Sequence, residues 1–278
     1  EDVVVGQEAG GDEVHAGQRV GIDDPDLDRL LVDLGAGEAG RGTRVEFEDA
    51  DLDAMAPAMS KAMDAMAALV SARTRVIFIA NPNNPTGVFI EDDDLIKFCE
   101  TGVPLCVDEA YLDYNPDRPS KASLFEKYPQ VFLSVTFSKA YGFCGIRFGF
   151  VLGTEEMIAA FNRMFLPWNV SRMAAAAAEA IIDNPDEVKA KVEHNNRWMA
   201  IFTEELKKLG LKPFPANGNY MLIDGTMTGK TTEEILEAAR ENKIYLKKIG
   251  KIHGKTGYFR VTPGVDEENE RFIAFIRE

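Results

Sequence analysis

Apolar and polar positions follow two different periods along this chain of 278 residues. Between residues 51 and 70 the side chains Leu52, Met55, Met59, Met63, Met66, Leu69 and Val70 recur every three or four positions, which places them on one face of an amphipathic helix. This methionine-rich stripe is expected to face a core rather than a partner. Residues 76–80, 103–107, 131–136 and 148–152 are short apolar runs, as strands covered on both faces should be. A helix is expected at about 91–100, opened by Asp92-Asp93-Asp94, because negative charge suits a helix amino terminus. Strands alternating with helices imply an α/β layer with mostly parallel pairing, in which chemistry collects in loops at the strands' carboxyl ends.

Farther along, residues 171–182 and 186–209 predict two helices, the second long. After Gly210 the expected elements shorten to strands at 219–223, 244–247 and 258–261 and helices at 232–242 and 267–276. The pattern therefore predicts a large domain over 1–185 and a smaller α+β domain over 186–278, hinged on the long helix. Residues 1–50 stand apart: only Val3–Val5 looks like a strand, and Leu30, Leu31 and Leu34 suggest one short helix.

Charge sharpens that contrast. Residues 1–75 carry 17 acidic against 7 basic side chains, a net of −10 out of −15 for the chain, and a single aromatic, Phe47. So few large apolar groups bury too little surface to offset chain entropy easily. The overall acidity argues against nucleic acid or an anionic membrane as partner and favours a small substrate. No run approaches the ~20 apolar residues of a membrane span, and the first residues lack a signal peptide's basic and apolar regions. Cys99, Cys106 and Cys144 form neither a disulfide framework nor a metal-binding spacing, and no metal site is expected. Buried thiols in a reducing compartment are the expectation, hence a cytoplasmic location.

Four segments carry chemistry. Thr136-Phe137-Ser138-Lys139 follows an expected strand, with Gly145-Ile146-Arg147 just beyond. A lysine there could form a Schiff base with an aldehyde cofactor, and Arg147 could grip a phosphate; taken alone, the pair equally suits a solvated loop lysine and a surface ion pair. Asn81-Pro82-Asn83-Asn84-Pro85-Thr86-Gly87 is a stiff turn that could aim an amide at a ligand oxygen, or only a structural turn. Val107-Asp108-Glu109-Ala110-Tyr111 ends a strand with an acid that could cap a helix or face a protonated ring nitrogen. Phe259-Arg260-Val261-Thr262-Pro263-Gly264 places Arg260 on a strand, as an ion pair or as a clamp for a carboxylate or phosphate.

In this order and at these separations the four segments resemble the fold-type I pyridoxal-phosphate (PLP)-dependent aminotransferases, in particular the histidinol-phosphate aminotransferase-like branch, from about Asp51 to Glu278. The resemblance implies the PLP-dependent transferase fold, with a three-layer large domain and a small C-terminal one. It implies pyridoxal 5'-phosphate as cofactor and amino transfer between an amino acid or amine phosphate and a 2-oxo acid, in a homodimeric enzyme of amino-acid biosynthesis. It makes Lys139 the catalytic Schiff-base lysine. Arg147, Ser138 and Thr136 are implied at the phosphate, Asn84 and Tyr111 at the phenolic oxygen, and Asp108 at the pyridinium nitrogen. Arg260 is implied at the substrate's acidic group, and Asn169, in Pro167-Trp168-Asn169-Val170, also on the substrate side. Asn219 lies in a similar segment, while His253, Trp168 and Trp198 are expected to be packing or surface residues.

The chain departs from the family near its start. The family's N-terminal arm is expected to be missing from these residues, Gly11-Asp12-Glu13-Val14 could match either its phosphate turn or a later turn, and no aromatic residue between 14 and 46 offers a ring-stacking group. The chain is therefore expected to be a fragment, or atypical within 7–45. A decarboxylase or lyase of the same fold and a truncated inactive domain are the alternatives, since fold does not fix function.

Overall fold

A computed structural model describes residues 55–165, 168–252 and 255–278. The expectations for Val3–Val5, Leu30–Leu34, Gly11–Val14 and the atypical start, and those for Pro167 and His253, lie outside the described residues.

Helix α1, Met55–Ala67, opens the described chain, and Met59, Met63 and Met66 of its stripe are buried. Strands β1 (Ile77–Ala80), β2 (Leu105–Asp108) and β3 (Val131–Thr136) pair in parallel, and β4 (Gly149–Gly153) adds to β3 antiparallel. Among the described residues the sheet is thus mostly parallel, with an antiparallel pair at its edge, as many large α/β sheets are built. Ile77, Ile79, Leu105, Val107, Val131 and Leu133 point from one sheet face into a core shared with α1 and with α2, Asp92–Cys99. On the other face Phe132 meets Phe161 of α3, Glu155–Asn162, at 5.1 Å between ring centroids. The Asp92–Asp94 run forms the first turn of α2, as its charge predicts.

Helix α4, Arg172–Ile182, starts where the Ser171 hydroxyl accepts from the Ala174 N–H at 3.1 Å. Helix α5, Pro185–Lys208, begins with proline in its first turn, where a missing N–H costs nothing. A second sheet follows in the order β5-β6-β8-β7: β5 (Lys212–Pro213), β6 (Met221–Asp224), β7 (Lys247–Lys248) and β8 (Tyr258–Val261), all antiparallel. Helices α6 (Thr232–Glu241) and α7 (Asp266–Arg277) join α5 over it, around Phe202, Met221, Ile223, Phe259 and Phe272.

Four expectations need correction. The run at 148–152 forms β4 but is not covered on both faces, since Phe150 and Leu152 are exposed. The strand expected at 244–247 is displaced to Lys247–Lys248, because the backbone N–H groups of Lys243 and Ile244 close the end of α6 on the Arg240 and Ala239 carbonyls. The thiols are not all buried: Cys99 and Cys106 are, but Cys144 is exposed. Leu69 is exposed too, lying past the end of the helix that buries its neighbours. Trp198 packs in the second core, whereas Trp168 is 95% exposed. Among the described residues, no helix is long and apolar enough to cross a membrane, and no group of His, Cys, Asp and Glu is arranged to hold a metal ion.

Candidate active site

The carboxyl ends of β1, β2 and β3 bring three of the motif segments together. The loop after β1 is fixed by its own amides. Asn81 Nδ2 donates to the Ile90 carbonyl and its Oδ1 accepts from the Ile90 N–H, both at 3.0 Å. Asn83 N–H donates to the Val88 carbonyl at 2.9 Å and the Thr86 hydroxyl to Asn83 Oδ1 at 2.7 Å. This frame presents Asn84, whose amide donates to the Tyr111 hydroxyl at 3.4 Å. Tyr111 follows β2 and is buried, and the Lys139 ammonium lies over its ring at 5.1 Å from the centroid.

Arg260, on β8 of the second sheet, reaches across and donates to Asn84 Oδ1 at 2.8 Å. Its guanidinium lies over the Tyr220 ring at 5.1 Å, and its buried Nε has no hydrogen-bond partner among the described residues. A buried donor left unmet costs about 1–3 kcal/mol, so an acceptor from a ligand would be well placed there. Lys139, Tyr111, Asn84 and Arg260 thus form one continuous run of contacts across the two sheets.

Asp108 ends β2, half-buried, and its Oδ1 accepts from the Ala110 N–H at 3.2 Å. No α-helix begins there, so the alternative of a helix cap is replaced by a turn bond. The more deeply buried acid is Glu109, which takes the Ser120 hydroxyl at 2.7 Å and the Lys121 N–H at 2.6 Å. Burial raises its carboxyl above the ordinary value, opposed by those two bonds. Thr136 and Ser138 face each other, hydroxyl to hydroxyl at 3.0 Å, just before Lys139.

Arg147 and Asn169 are placed otherwise. Arg147 is exposed, has φ of 61°, and donates to the Cys144 carbonyl at 2.8 Å. Asn169 is exposed beside Trp168, and Asn219 is half-buried beside Tyr220. Several side chains at the site carry no sequence signal. Tyr220 packs edge-to-face on Tyr111 with centroids 4.8 Å apart and donates to the Asn83 carbonyl at 2.5 Å. Tyr141 stacks on Phe137 and donates to Asp113 at 3.3 Å. A shallow depression lined by Ala67, Ser71, Thr74, Thr101 and Gly102 lies at the strands' opposite ends and holds no titratable group.

The aminotransferase class I and II family matches residues 38–276. The chain belongs to that family. Histidinol-phosphate aminotransferase 1 of Mannheimia succiniciproducens is 34% identical to this aminotransferase-family chain over 221 residues, covering 77% of the chain and 59% of that relative. The aromatic amino acid aminotransferase of Mycobacterium bovis is 35% identical over 219 residues, covering 77% and 60%. The chain spans about three fifths of the length of these curated relatives. The crystal structure of histidinol-phosphate aminotransferase from Sinorhizobium meliloti in complex with pyridoxal-5'-phosphate matches with a TM-score of 0.70 at 24% identity, covering 90% of this chain and 70% of that one. At that identity the likeness concerns the fold, and it agrees with the α/β class expected from the strand and helix pattern.

Proposed function

We propose that this chain carries the site of a PLP-dependent aminotransferase, exchanging an amino group between an amino acid or a histidinol-phosphate-like amine phosphate and a 2-oxo acid. One observation supports the reading above all: a lysine ammonium, a phenol, an amide and a guanidinium in a single run of contacts at the strands' carboxyl ends.

The residues suit the cofactor's chemistry. Asp108 would meet its ring nitrogen and Asn84 with Tyr111 its phenolic oxygen. Thr136, Ser138 and Arg147 would meet its phosphate, Arg147 leaving the Cys144 carbonyl to do so. Bound PLP supplies an electron sink that the protein only orients. The negative charge of Asp108 favours a protonated ring nitrogen. Lys139 would hold the aldehyde carbon, and its Nζ, when free, would carry the proton from the substrate's Cα. Arg260, with its unmet Nε, would receive the substrate's carboxylate or phosphate, both fork acceptors, and Asn169 would join on that side.

The reading carries a large cofactor-binding domain over 1–185 and a smaller one over 186–278, a cytoplasmic enzyme of amino-acid biosynthesis, and a homodimer. The exposed apolar side chains Phe165, Trp168, Val170 and Met173 form the kind of surface that a second subunit covers. Added PLP should give a visible absorbance band in wild type that Lys139→Ala abolishes, and amino donors should yield 2-oxo acids. A wild-type protein that takes up no PLP overturns the reading, and carbon dioxide as the product would reassign it to a decarboxylase.

A further inference from the structure

The segments that bear the site run through irregular chain, where backbone carbonyls lack a strand or helix partner. Asparagine side chains supply those partners. Asn195, buried on α5, donates to the Gly218 carbonyl at 3.1 Å and to the Oδ1 of its neighbour Asn196 at 2.9 Å. Asn196 in turn donates to the Tyr114 carbonyl at 2.8 Å. The amide pair thus links the turn that follows Tyr111 to the loop that leads into Tyr220.

Gly218 is wedged against both rings. A Cβ added there would lie 2.8 Å from Tyr220 Cε1 and 3.1 Å from Tyr111 Cδ1. Holding the Gly218 carbonyl therefore holds the edge-to-face tyrosine pair. On the same stretch of α5, His194 Nε2 meets the Gly264 carbonyl at 2.9 Å and Lys191 donates to the Tyr141 carbonyl at 3.3 Å. A carbonyl only accepts, so His194 Nε2 is the donor of this bond. Residues 191–196 thus reach the segments of Lys139, Tyr111, Tyr220 and Arg260.

We propose that Asn195 and Asn196 are positioning residues: they set the Tyr111–Tyr220 pair and through it the aim of the Tyr111 hydroxyl and of the Arg260 guanidinium stacked on Tyr220. The inference rests on the functional reading above. Neutral amides suit this task, since they bond carbonyls without adding a charge beside the lysine, aspartate and arginine of the site.

The test uses Asn196→Ala, Asn196→Gln and Asn196→Asp, with Asn242→Ala as a control; Asn242 is exposed, and its side chain donates to the Ala238 carbonyl in the last turn of α6. Without cofactor, Asn196→Ala should lose part of the near-ultraviolet circular dichroism of the tyrosines while keeping its helical signal. With PLP, the pH midpoint of the cofactor's absorbance should move, and kcat should fall by about 10-fold or more, as a displacement near 1 Å costs on the order of 100-fold. Asn196→Gln should recover part of each change. If Asn196→Ala does not fold, the isosteric Asn196→Asp decides: its tyrosine signal should change as its carboxyl loses the proton it would donate. A variant with the wild-type tyrosine signal and absorbance profile, lowered only in melting temperature, makes the pair structural and overturns the proposal. A wild type that binds no PLP overturns the functional reading instead, and the cofactor-free tyrosine signal still decides the positioning claim.

Discussion

Arg147 adopts φ of 61°, a left-handed conformation that crowds a side chain and is uncommon outside glycine. Such strain costs about 1–3 kcal/mol and persists only where the surroundings enforce it. Arg147→Gly should therefore gain about 1 kcal/mol in urea unfolding while PLP affinity drops; a variant that loses stability would refute the strain. Two acids near the site, buried Glu109 and half-buried Asp113, are shifted alike. Burial raises the Asp113 carboxyl above its ordinary value by more than the Tyr141 hydroxyl lowers it. The folded protein then holds that proton more tightly than the unfolded chain. The associated stability is complete below the ordinary carboxylate pKa and is lost as pH rises through the folded value. Asp113→Asn keeps an acceptor for Tyr141 and removes the titration. Its melting temperature should match wild type in acid and exceed it increasingly toward neutral pH; a constant gap would contradict this. Burial also pushes the Cys99 thiol up to about 11. Alkylation of the folded protein at neutral pH should label exposed Cys144 and spare Cys99 and Cys106, as peptide mapping would show.

The elements follow local rules that the sequence carries openly, and the exceptions have local causes. The helix at 155–162 is eight residues long, too short a window for an apolar period to stand out in the sequence, although Thr154 caps it. At the end of α6 the Lys243 N–H meets the Arg240 carbonyl and the Ile244 N–H the Ala239 carbonyl, both at 2.8 Å, with Lys243 at φ of 57°. These two bonds define a Schellman closure whose left-handed position favours glycine. Lys243→Gly should raise stability by about 0.5–1 kcal/mol in denaturant unfolding, and a loss would show that the lysine has a contact of greater worth. The same closure explains why the apolar run at 244–246 is not a strand. The Ile244 N–H that would start it is already committed to the helix end, and Tyr245 stands 84% exposed.

At the scale of the molecule, the two sheets meet at Gly87. Its φ is 69°, and a Cβ there would lie 1.9 Å from the Pro215 carbonyl oxygen, beside Asn217, whose amide donates to the Gly87 carbonyl at 2.7 Å. Gly87→Ala should destabilise by about 3 kcal/mol or more and weaken PLP uptake, since the loop that carries Asn84 must shift; an unchanged unfolding midpoint would remove Gly87 from the junction. The α/β class, the buried strands β1 to β3, the long helix and the motifs holding Asn84, Asp108, Lys139 and Arg260 are all legible in consecutive residues. Apolar period and turn chemistry are local properties, written in consecutive residues. The folded chain alone reveals that Arg260 bonds Asn84 across 176 positions, that Tyr220 packs on Tyr111, and that Asn195 and Asn196 link their loops. Those contacts join segments far apart in sequence, and an asparagine carries no periodic mark that distinguishes one bonding a distant carbonyl from one facing water.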